Sequence, residues 1–356
     1  MKILVVAPAS NSHTVKWVNQ FHAFGNEVYL TYLPDHKPAK GEIHPNVHCI
    51  PLKHSGSKGY YLNAMNLHSI ANKIKPDMIH VHYASGYGTL ARVSKVHPVV
   101  LSVWGSDVYE FPNLSSFNKK VLEKNLKKAD YITSTSHCMK QETLKYTDKP
   151  IPVVPFGIDT NIFKKLNIEK NPSEFVISTF KSLEPIYGLN FAIKGVHQFI
   201  KKYGNQMPCK IQYRIYGSGS QEQALLEQIR QLKLEDTVSL MGRVHNTEIP
   251  EILNQTDVAL YTSLNESFGV SLVEAMACQV PVVASVNEGF CEVLENGKYG
   301  KLIDRENPEQ IADTLYELYS NPELRNDLIQ SAEKKARREY AWDENVKTML
   351  EFFETI

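Results

Sequence analysis

The residues best suited to chemistry are two glutamates, Glu266 and Glu274, which stand eight positions apart in the segment 265–277. The apolar run 257–262 before them predicts a buried strand, and Gly269 favours a tight entry into a following helix. The first amides of a helix have no partner inside it and its dipole favours negative charge there, so this start predicts a diphosphate site. Eight residues are about two turns, or about 12 Å, of helix, which places both carboxylates on one face.

Each glutamate has its own predicted partner. Glu266 stands just before the helix, where its carboxylate can accept hydrogen bonds from sugar hydroxyls. Glu274 can accept both hydroxyls of a ribose. The phosphate-binding segment between them comprises Ser267, Phe268, Gly269 and Val270. The alternative interpretation is an ordinary capped helix with Glu274 in solvent.

Short apolar runs alternate with helix-length segments along the chain. Continuous apolar strands separated by helices are typical of parallel sheets that are covered on both faces. The predicted strands are 2–8, 27–33, 47–53, 78–83, 99–104, 131–136 and 151–155, then 174–180, 210–216, 238–241, 257–262 and 281–285. Doubly wound sheets bind ligands at the carboxyl ends of their strands, so functional residues are expected in the loops that follow the strands.

Length and composition indicate two globular domains. The chain has 356 residues, of which 42% are hydrophobic and 22% charged, and this length suits two cores rather than one. A polar stretch at 156–173 predicts a linker. We therefore expect an α/β protein with Rossmann-like doubly wound domains at 1–157 and 172–335 that face a cleft. The final helix, at about 340–356, is expected to cross back to the first domain.

The E-x7-E pattern formed by Glu266 and Glu274 resembles that of the retaining glycosyltransferases of family 4, which have the GT-B fold. The resemblance covers nearly the whole chain and is densest at 174–304. It implies transfer of a sugar from a nucleotide diphosphate donor, without a separate cofactor. It further implies that the donor is approached by Gly217, Ser218 and Gly219, and that its base lies beside Arg243 and Val244.

The chain departs from the family pattern at the diphosphate. Family members usually carry an Arg and a Lys after the first strand of the second domain. Here Lys181 stands at the Arg position and keeps a positive charge without the bidentate fork of arginine. Tyr187 stands where the Lys would be. Either Arg243 supplies the second charge or the site works with one cation.

The acceptor side carries weaker signals. His80 and His82 share a face of the predicted strand 78–83, so one of them is expected to be buried while the other reaches the cleft. The resemblance makes His82 a candidate sugar or acceptor contact. It also makes Asp107 a candidate hydroxyl acceptor or base, with helix capping as the alternative. Trp104, where relatives often have a histidine, is expected to stack on a sugar ring or to lie at the rim.

Charge is unevenly shared between the two halves. Residues 1–160 hold 18 Lys and Arg against 11 Asp and Glu, although the whole chain is formally neutral. A basic first domain suits an anionic acceptor or peripheral contact with an anionic membrane, and chance is the plain alternative. The clearest basic cluster is on one predicted helix and comprises Lys119, Lys120, Lys124, Lys127 and Lys128. Such a helix more often covers a sheet and exposes its basic face to water.

Other sequence features limit the location and the chemistry. The chain has no D-x-D at a strand end, so no metal site is expected, and the five cysteines show no paired spacing. The apolar run at 3–8 is too short for a signal peptide, and no run is long enough to span a bilayer. These features predict a cytoplasmic protein, with nucleic acid not expected as a partner.

The function predicted from these residues is retaining transfer of a hexose or N-acetylhexosamine, from a UDP-sugar for preference, to a saccharide or lipid-linked saccharide. The setting would be synthesis of cell-surface polysaccharide or glycoconjugates. One alternative is a UDP-N-acetylglucosamine 2-epimerase, which has the same two-domain fold and needs no acceptor. Another is a non-catalytic protein that binds sugar nucleotides. A nicotinamide dehydrogenase is disfavoured because no G-x-G-x-x-G follows the first strand.

Overall fold

The computed structural model describes residues 1–356 and divides them into two compact units. The first unit comprises Met1–Pro155 and Asp343–Ile356, and the second comprises Phe156–Trp342. Each unit contains one parallel sheet of six strands with helices between the strands. The predicted α/β fold with two doubly wound sheets is thereby confirmed. None of the helices is long and apolar enough to cross a membrane.

The sheet of the first unit has the strand order β3-β2-β1-β4-β5-β6. Its strands are β1 (Lys2–Val6), β2 (Glu27–Tyr32), β3 (His48–Pro51), β4 (Met78–His82), β5 (Val99–Val103) and β6 (Tyr131–Ser134). The helices in chain order are α1 (Ser12–Ala23), α2 (Gly56–Leu62), α3 (Ala64–Ile74), α4 (Gly86–Ser94), α5 (Ser106–Tyr109), α6 (Ser116–Lys128) and α7 (His137–Thr143). The strand order reverses between β1 and β4, which makes the loops after these two strands the expected binding edge.

The sheet of the second unit repeats this plan, with the order β12-β11-β10-β7-β8-β9. Its strands are β7 (Glu174–Phe180), β8 (Lys210–Tyr216), β9 (Val238–Gly242), β10 (Val258–Tyr261), β11 (Val282–Ser285) and β12 (Lys301–Ile303). Its helices are α8 (Leu189–Tyr203), α9 (Glu222–Gln231), α10 (Ile249–Gln255), α11 (Val270–Ala277), α12 (Glu288–Val293), α13 (Pro308–Ser320) and α14 (Pro322–Glu339). Here the order reverses between β7 and β10.

The last helix, α15 (Trp342–Thr355), packs on the first unit, as the sequence predicts. The ring of Phe353 lies 5.8 Å from that of Phe21 and 5.4 Å from that of His80. The Asn345 side chain donates a hydrogen bond to the carbonyl of Pro155, at 3.1 Å. An apolar helix face at the end of the chain therefore completes a core that begins with β1.

One predicted strand is wrong. Residues 151–155 form a single bridge, between Val153 and Ser134, instead of a strand. The segment has prolines at 152 and 155, and proline cannot donate the backbone hydrogen bond that a ladder needs. The segment is apolar because its side chains are buried and not because it forms a strand: Ile151 and Val154 are each 2% exposed.

Candidate functional site

Two of the charged residues predicted for the donor site, Lys181 and Glu266, form an ion pair. Lys181 directly follows β7 and Glu266 lies in the loop after β10, and these parallel strands are neighbours in the sheet. Their carboxyl ends bring the two loops together, so the Lys181 ammonium bonds to Oε1 of Glu266. The two side chains are only 11% and 14% exposed. The sequence identified both residues but did not predict that they would neutralise each other.

Aromatic rings and a hydroxyl complete the surroundings of this pair. Nζ of Lys181 lies 5.1 Å from the centre of the Tyr187 ring and 5.8 Å from that of Phe290, which are cation–π distances. The hydroxyl of Ser263 donates to Oε1 of Glu266 at 3.2 Å. Tyr187 therefore offers the face of a ring at the position where relatives carry a second cation.

The start of α11 has the character of an anion site. Gly269 precedes the helix with φ of 96°, and no side chain caps the first turn. A side chain at Gly269 would begin 2.6 Å from the Phe290 ring, so only glycine fits this left-handed position. Gly289 packs equally closely, because a Cβ there would lie 2.7 Å from the amide nitrogen of Phe268. The chain segment before α11 is thus tightly packed, and its N-cap residue Gly269 supplies no side chain to the amides of the first turn.

The segment before α11 buries one aromatic ring and one carboxylate. The ring of Phe268 is 2% exposed and packs 5.2 Å from the ring of Tyr340, so only its backbone is left for a ligand. Glu274 is 9% exposed, which contradicts the alternative interpretation of a solvated side chain. Ser267 and Val270 are half-buried.

A residue that the sequence analysis missed lies in the first turn of α11. The hydroxyl oxygen of Ser271 is buried and has no hydrogen-bond partner. A buried, unsatisfied hydroxyl costs about 1–3 kcal/mol, so a bound phosphate oxygen is a fitting partner for it. A hydroxyl residue within the first turn of a predicted anion-binding helix was the available sequence signal.

The glycines after β8 have a structural role of their own. Gly217 has φ of 152°, and a Cβ there would overlap the carbonyl oxygen of Lys181. A Cβ at Gly219 would lie 2.6 Å from the carbonyl oxygen of Leu183. Ser218, which is exposed, accepts a hydrogen bond at its carbonyl from the amide of Leu183. The close backbone approach that these glycines permit is to the loop after β7, and their approach to a donor stays a prediction.

Arg243 makes no direct contact with the loop after β7, which carries Lys181. Arg243 is exposed and Val244 half-buried in the loop after β9. Strand β8 separates β9 from β7, which places the two loops about 10 Å apart at the backbone. Lys181 is therefore the cation that the fold holds beside Glu266.

The first unit has a cavity of about 340 Å³ at its own binding edge. The cavity lies where the loops after β1 and β4 meet. Its lining comprises Pro8, Ser10, Asn11, His36, Tyr60, Tyr83, Ser85, Gly86 and Tyr87. The side chains are held by hydrogen bonds from the Asn11 amide to the Tyr83 hydroxyl, at 3.0 Å, and between His36 Nδ1 and the Tyr87 hydroxyl, at 2.8 Å. The sequence analysis missed these residues because they come from four separate segments of the chain.

The expectation that one of the two strand histidines is open to the cleft is wrong. His80 and His82 are both fully buried and contact each other through Nδ1 and Nε2, at 3.3 Å. His82 also bonds to the Thr14 hydroxyl, and Trp104 covers its ring at 4.0 Å. Burial lowers the pKa of His80 to about 3 and that of His82 well below its usual range. Helix α15 and Trp104 pack against this side of β4 and bury both rings. The sequence around β4 gives no sign of these distant contacts.

Trp104 and Asp107 are also buried, at 7% and 1% exposure. Trp104 is therefore neither a rim residue nor an open stacking surface. The carboxylate of Asp107 accepts hydrogen bonds from the amides of Ala84, Trp104 and Gly105, at 2.7–3.0 Å. Burial raises the pKa of Asp107 although these donors oppose the shift. The carboxylate ties the loops after β4 and β5 together, and these three donors all precede α5, so the bonds differ from the predicted capping of the following segment.

No group of three or more His, Cys, Asp or Glu side chains is placed to hold a metal ion.

Two family models match the chain in tandem. The model described as "Glycosyl transferases group 1" matches residues 160–335, and "Glycosyl transferase 4-like" matches residues 2–136. The chain is 26% identical over 288 residues to N-acetyl-alpha-D-glucosaminyl L-malate synthase of Bacillus anthracis. This match covers 78% of the chain and 74% of that enzyme.

Solved structures of the same fold are similar to the chain over its full length. Sucrose-phosphate synthase of Thermosynechococcus elongatus has a TM-score of 0.84 at 15% identity, with 100% of this chain and 99% of that chain covered. HepE of Anabaena, solved in complex with UDP, has a TM-score of 0.82 at 18% identity and full coverage of both chains. The solved structures show that the fold is GT-B, and by its two family matches the chain belongs to the group 1 glycosyltransferases.

Proposed function

We propose that the protein transfers a hexose or N-acetylhexosamine from a UDP-sugar to a saccharide or lipid-linked saccharide, with retention of the anomeric configuration. The observation that carries this proposal is the pairing of Lys181 with Glu266 beside the start of α11, where no side chain caps the helix. A cation, a carboxylate and uncapped amides at one strand edge match the charges of a diphosphate joined to a sugar. The UDP complex of the similar HepE fold and the N-acetylglucosaminyl product of the Bacillus relative support this choice of donor.

In this proposal each part of the site binds one part of the donor. The amides of Phe268, Gly269 and Val270 hold the phosphates together with Lys181, and Glu274 holds the ribose. Glu266 orients the sugar. The base of the nucleotide lies beside Arg243 and Val244. The backbone of Ser267 and that of Gly217, Ser218 and Gly219 make the remaining contacts with the donor.

The reaction breaks the bond between the anomeric carbon and the diphosphate oxygen and forms one to an acceptor hydroxyl on the same face. The leaving phosphate oxygen takes the proton of that hydroxyl, so charge and atoms balance within the donor–acceptor pair. Negative charge grows on the diphosphate as the bond breaks, and a cation held beside it stabilises the transition state more than the ground state. Diphosphate binding must draw the Lys181 ammonium partly away from Glu266, which frees that carboxylate for the sugar.

The acceptor is proposed to bind in the 340 Å³ cavity of the first unit. Its lining offers tyrosine rings, hydroxyls, an amide and an imidazole, and no Lys, Arg, Asp or Glu. Aromatic faces and neutral hydrogen-bonding groups suit a saccharide. The side chains of His82 and Asp107 are buried and make contacts within the chain. We therefore place the acceptor in this cavity and no longer at these two residues. The proposed setting is the cytoplasmic side of the membrane, in polysaccharide or glycoconjugate synthesis.

Exchange of Glu266 for glutamine tests the function. Because Glu266 addresses the sugar rather than the nucleotide, Glu266→Gln should reduce turnover at least about tenfold, which equals about 1.4 kcal/mol of transition-state stabilisation. Affinity for UDP should not fall, because loss of the Glu266 charge leaves the Lys181 ammonium available to the diphosphate. A thermal-shift panel of nucleotide sugars first identifies the donor, since a ligand of the folded state raises the midpoint.

Two outcomes would contradict the proposal. Normal turnover by the Glu266→Gln enzyme would show that the sugar binds elsewhere. Conversion of the donor sugar by the parent protein without any acceptor would instead support the epimerase alternative, and binding without any reaction would support the non-catalytic one.

Activity is expected to survive chelation of divalent metals. The diphosphate is proposed to be held by Lys181 and the amides before α11, and no cluster of metal-ligating side chains is present. Turnover in excess EDTA should remain within about twofold of the untreated rate, because a metal ion that is not part of the charge stabilisation costs nothing to remove. Complete loss that added Mg²⁺ or Mn²⁺ reverses would contradict this expectation.

A further inference from the structure

One side chain of the acceptor cavity, the imidazole of His36, is held so that only one of its nitrogens is open to a ligand. His36 lines the 340 Å³ cavity and is half-buried. Its Nδ1 bonds to the hydroxyl of Tyr87 at 2.8 Å, and its Nε2 has no partner within the chain. The contacts on the Nδ1 side decide what Nε2 can offer to a ligand.

The backbone around His36 is fixed to two neighbouring segments. His36 ends a short 3₁₀ turn after β2, and its amide donates to the carbonyl of Leu33 at 2.8 Å. The His36 carbonyl accepts a hydrogen bond from the amide of Ser10 at 3.0 Å. The carboxylate of the preceding residue, Asp35, accepts from the amide of Gly56 at 3.0 Å. The imidazole therefore belongs to a turn that is tied to the loop after β1 and to the start of α2.

The Tyr87 hydroxyl has one proton, and its surroundings direct that proton to His36. The amide of Leu33 donates to the Tyr87 oxygen at 3.3 Å, so the oxygen already accepts one hydrogen bond. If His36 also donated, the hydroxyl proton of Tyr87, which is only 2% exposed, would be buried without an acceptor. A buried donor without an acceptor is unfavourable. The favoured arrangement therefore has the Tyr87 hydroxyl donating to Nδ1 of His36.

Burial keeps this proton on the phenol. Removal from water raises the pKa of Tyr87 far above its usual range, although the hydrogen bond from the Leu33 amide opposes the shift. A neutral imidazole carries a single proton, so an Nδ1 that accepts a hydrogen bond leaves that proton on Nε2. Nε2 of His36 is thus a hydrogen-bond donor at the cavity, and it has no lone pair with which to take a proton from an acceptor hydroxyl.

We propose that His36 determines acceptor specificity by donating a hydrogen bond from Nε2 to one oxygen of the acceptor saccharide, and that Tyr87 is the residue that positions it. This inference rests on the proposed acceptor site. It gives His36 a role in recognition and none as a base, which agrees with the proposed transfer of the acceptor proton to the leaving phosphate oxygen. A site with a fixed donor rejects an analogue that lacks the matching oxygen, because the donor is then left unpaired.

Nitrogen NMR of the full chain, after isotopic labelling of its histidines, measures the tautomer directly. The signals of His36 are those that disappear in His36→Gln. In mildly alkaline buffer we expect a protonated Nε2 and an unprotonated, hydrogen-bonded Nδ1, and Tyr87→Phe should change the Nδ1 signal most. A protonated Nδ1 with a bare Nε2 would overturn the proposal, whether or not the protein transfers a sugar.

Binding of methyl glycosides to the full chain tests the recognition role. The probes are the methyl β-glycosides of glucose, galactose and N-acetylglucosamine, together with the monodeoxy forms of the one that binds best. At least one probe should shift the Nε2 signal of His36, and one deoxy form should bind about three- to tenfold more weakly than its parent sugar, the scale of one neutral hydrogen bond. His36→Asn, whose amide is too short to reach the Nε2 position, should lose this discrimination, whereas His36→Gln should keep part of it.

His54→Asn is the matched control, because it makes the same exchange at an exposed histidine of the first unit that does not line the cavity. It should bind every probe within about twofold of the parent protein, since separate sites act independently. The melting temperatures of all variants should agree with that of the parent.

Two binding results would overturn the proposal. One is equal discrimination against the deoxy form by the parent protein and by folded His36→Asn, and the other is the absence of any probe-induced shift at Nε2 of His36. A protein that binds glycosides through His36 but transfers no sugar would contradict the proposed function and would still support this inference.

Discussion

Lys181→Ala is expected to lower the catalytic rate by about 10²–10³, the scale observed when one donor to a developing negative charge is removed. The structure strengthens the reason for this expectation. Lys181 is the cation next to Glu266, it is 11% exposed, and the exposed Arg243 belongs to a loop one strand farther away. Single-turnover rates with the identified donor would measure the effect. Lys201→Ala, which removes an exposed lysine of the same unit, is the control.

Tyr187→Lys should recover part of the rate that Lys181→Ala loses. The Tyr187 ring is centred 5.1 Å from the Lys181 ammonium, so a lysine at position 187 can bring a charge near the same place. Because both residues act on one charge, the two substitutions should be non-additive in a double-mutant cycle. Glu266→Gln combined with Lys181→Ala separates the loss of the cation from the effect of an unpaired carboxylate. A near-normal rate for Lys181→Ala would require a different cation at the diphosphate.

Glu274→Ala should weaken UDP binding by about 1.5–3 kcal/mol, or roughly 10- to 150-fold, the usual value of a charge-assisted hydrogen bond. The burial of Glu274, at 9% exposure in the second turn of α11, makes a solvated role untenable and gives the carboxylate a low-dielectric setting. Isothermal calorimetry with UDP measures the change.

Glu274→Gln provides the matched control for shape, since it keeps the volume and loses the charge. If the ribose contact is charge-assisted, glutamine should retain only part of the affinity. The melting temperature of each variant must remain close to that of the parent protein. Unchanged UDP affinity in both folded variants would remove Glu274 from the nucleotide site.

The positions of Lys181 and Glu266 at one edge of the second sheet were predictable because each residue follows a strand that the local sequence pattern identifies. The strands at 174–180 and 210–216 have the predicted bounds, and α11 begins directly after Gly269, where the sequence predicts the entry into a helix. A strand, a glycine turn and a helix start are local features, and parallel strands always present their carboxyl ends at one edge. The position of Lys181 and of Glu266 at that edge follows from these features.

The acceptor side was predicted poorly, for a physical reason. Alternation along β4 shows that His80 and His82 share a face, but the cover of that face comes from Trp104, Phe21 and Phe353, far away in sequence. The hydrogen bonds from three backbone amides to the Asp107 carboxylate likewise depend on where the loops after β4 and β5 meet. Side-chain exposure is a property of the packed chain, so local chemistry alone could not separate a ligand contact from a structural residue.

The sequence by itself determined the two parallel sheets, the family and the charged residues that follow β7 and β10, because these depend on periodicity and on short motifs. Only the tertiary structure decided that Lys181 pairs with Glu266, that His82 and Asp107 are buried and occupied within the chain, and that Tyr87 contacts His36 at the acceptor cavity. Each of these depends on distances between segments that are remote in sequence, and such distances are set when apolar faces pack and exclude water.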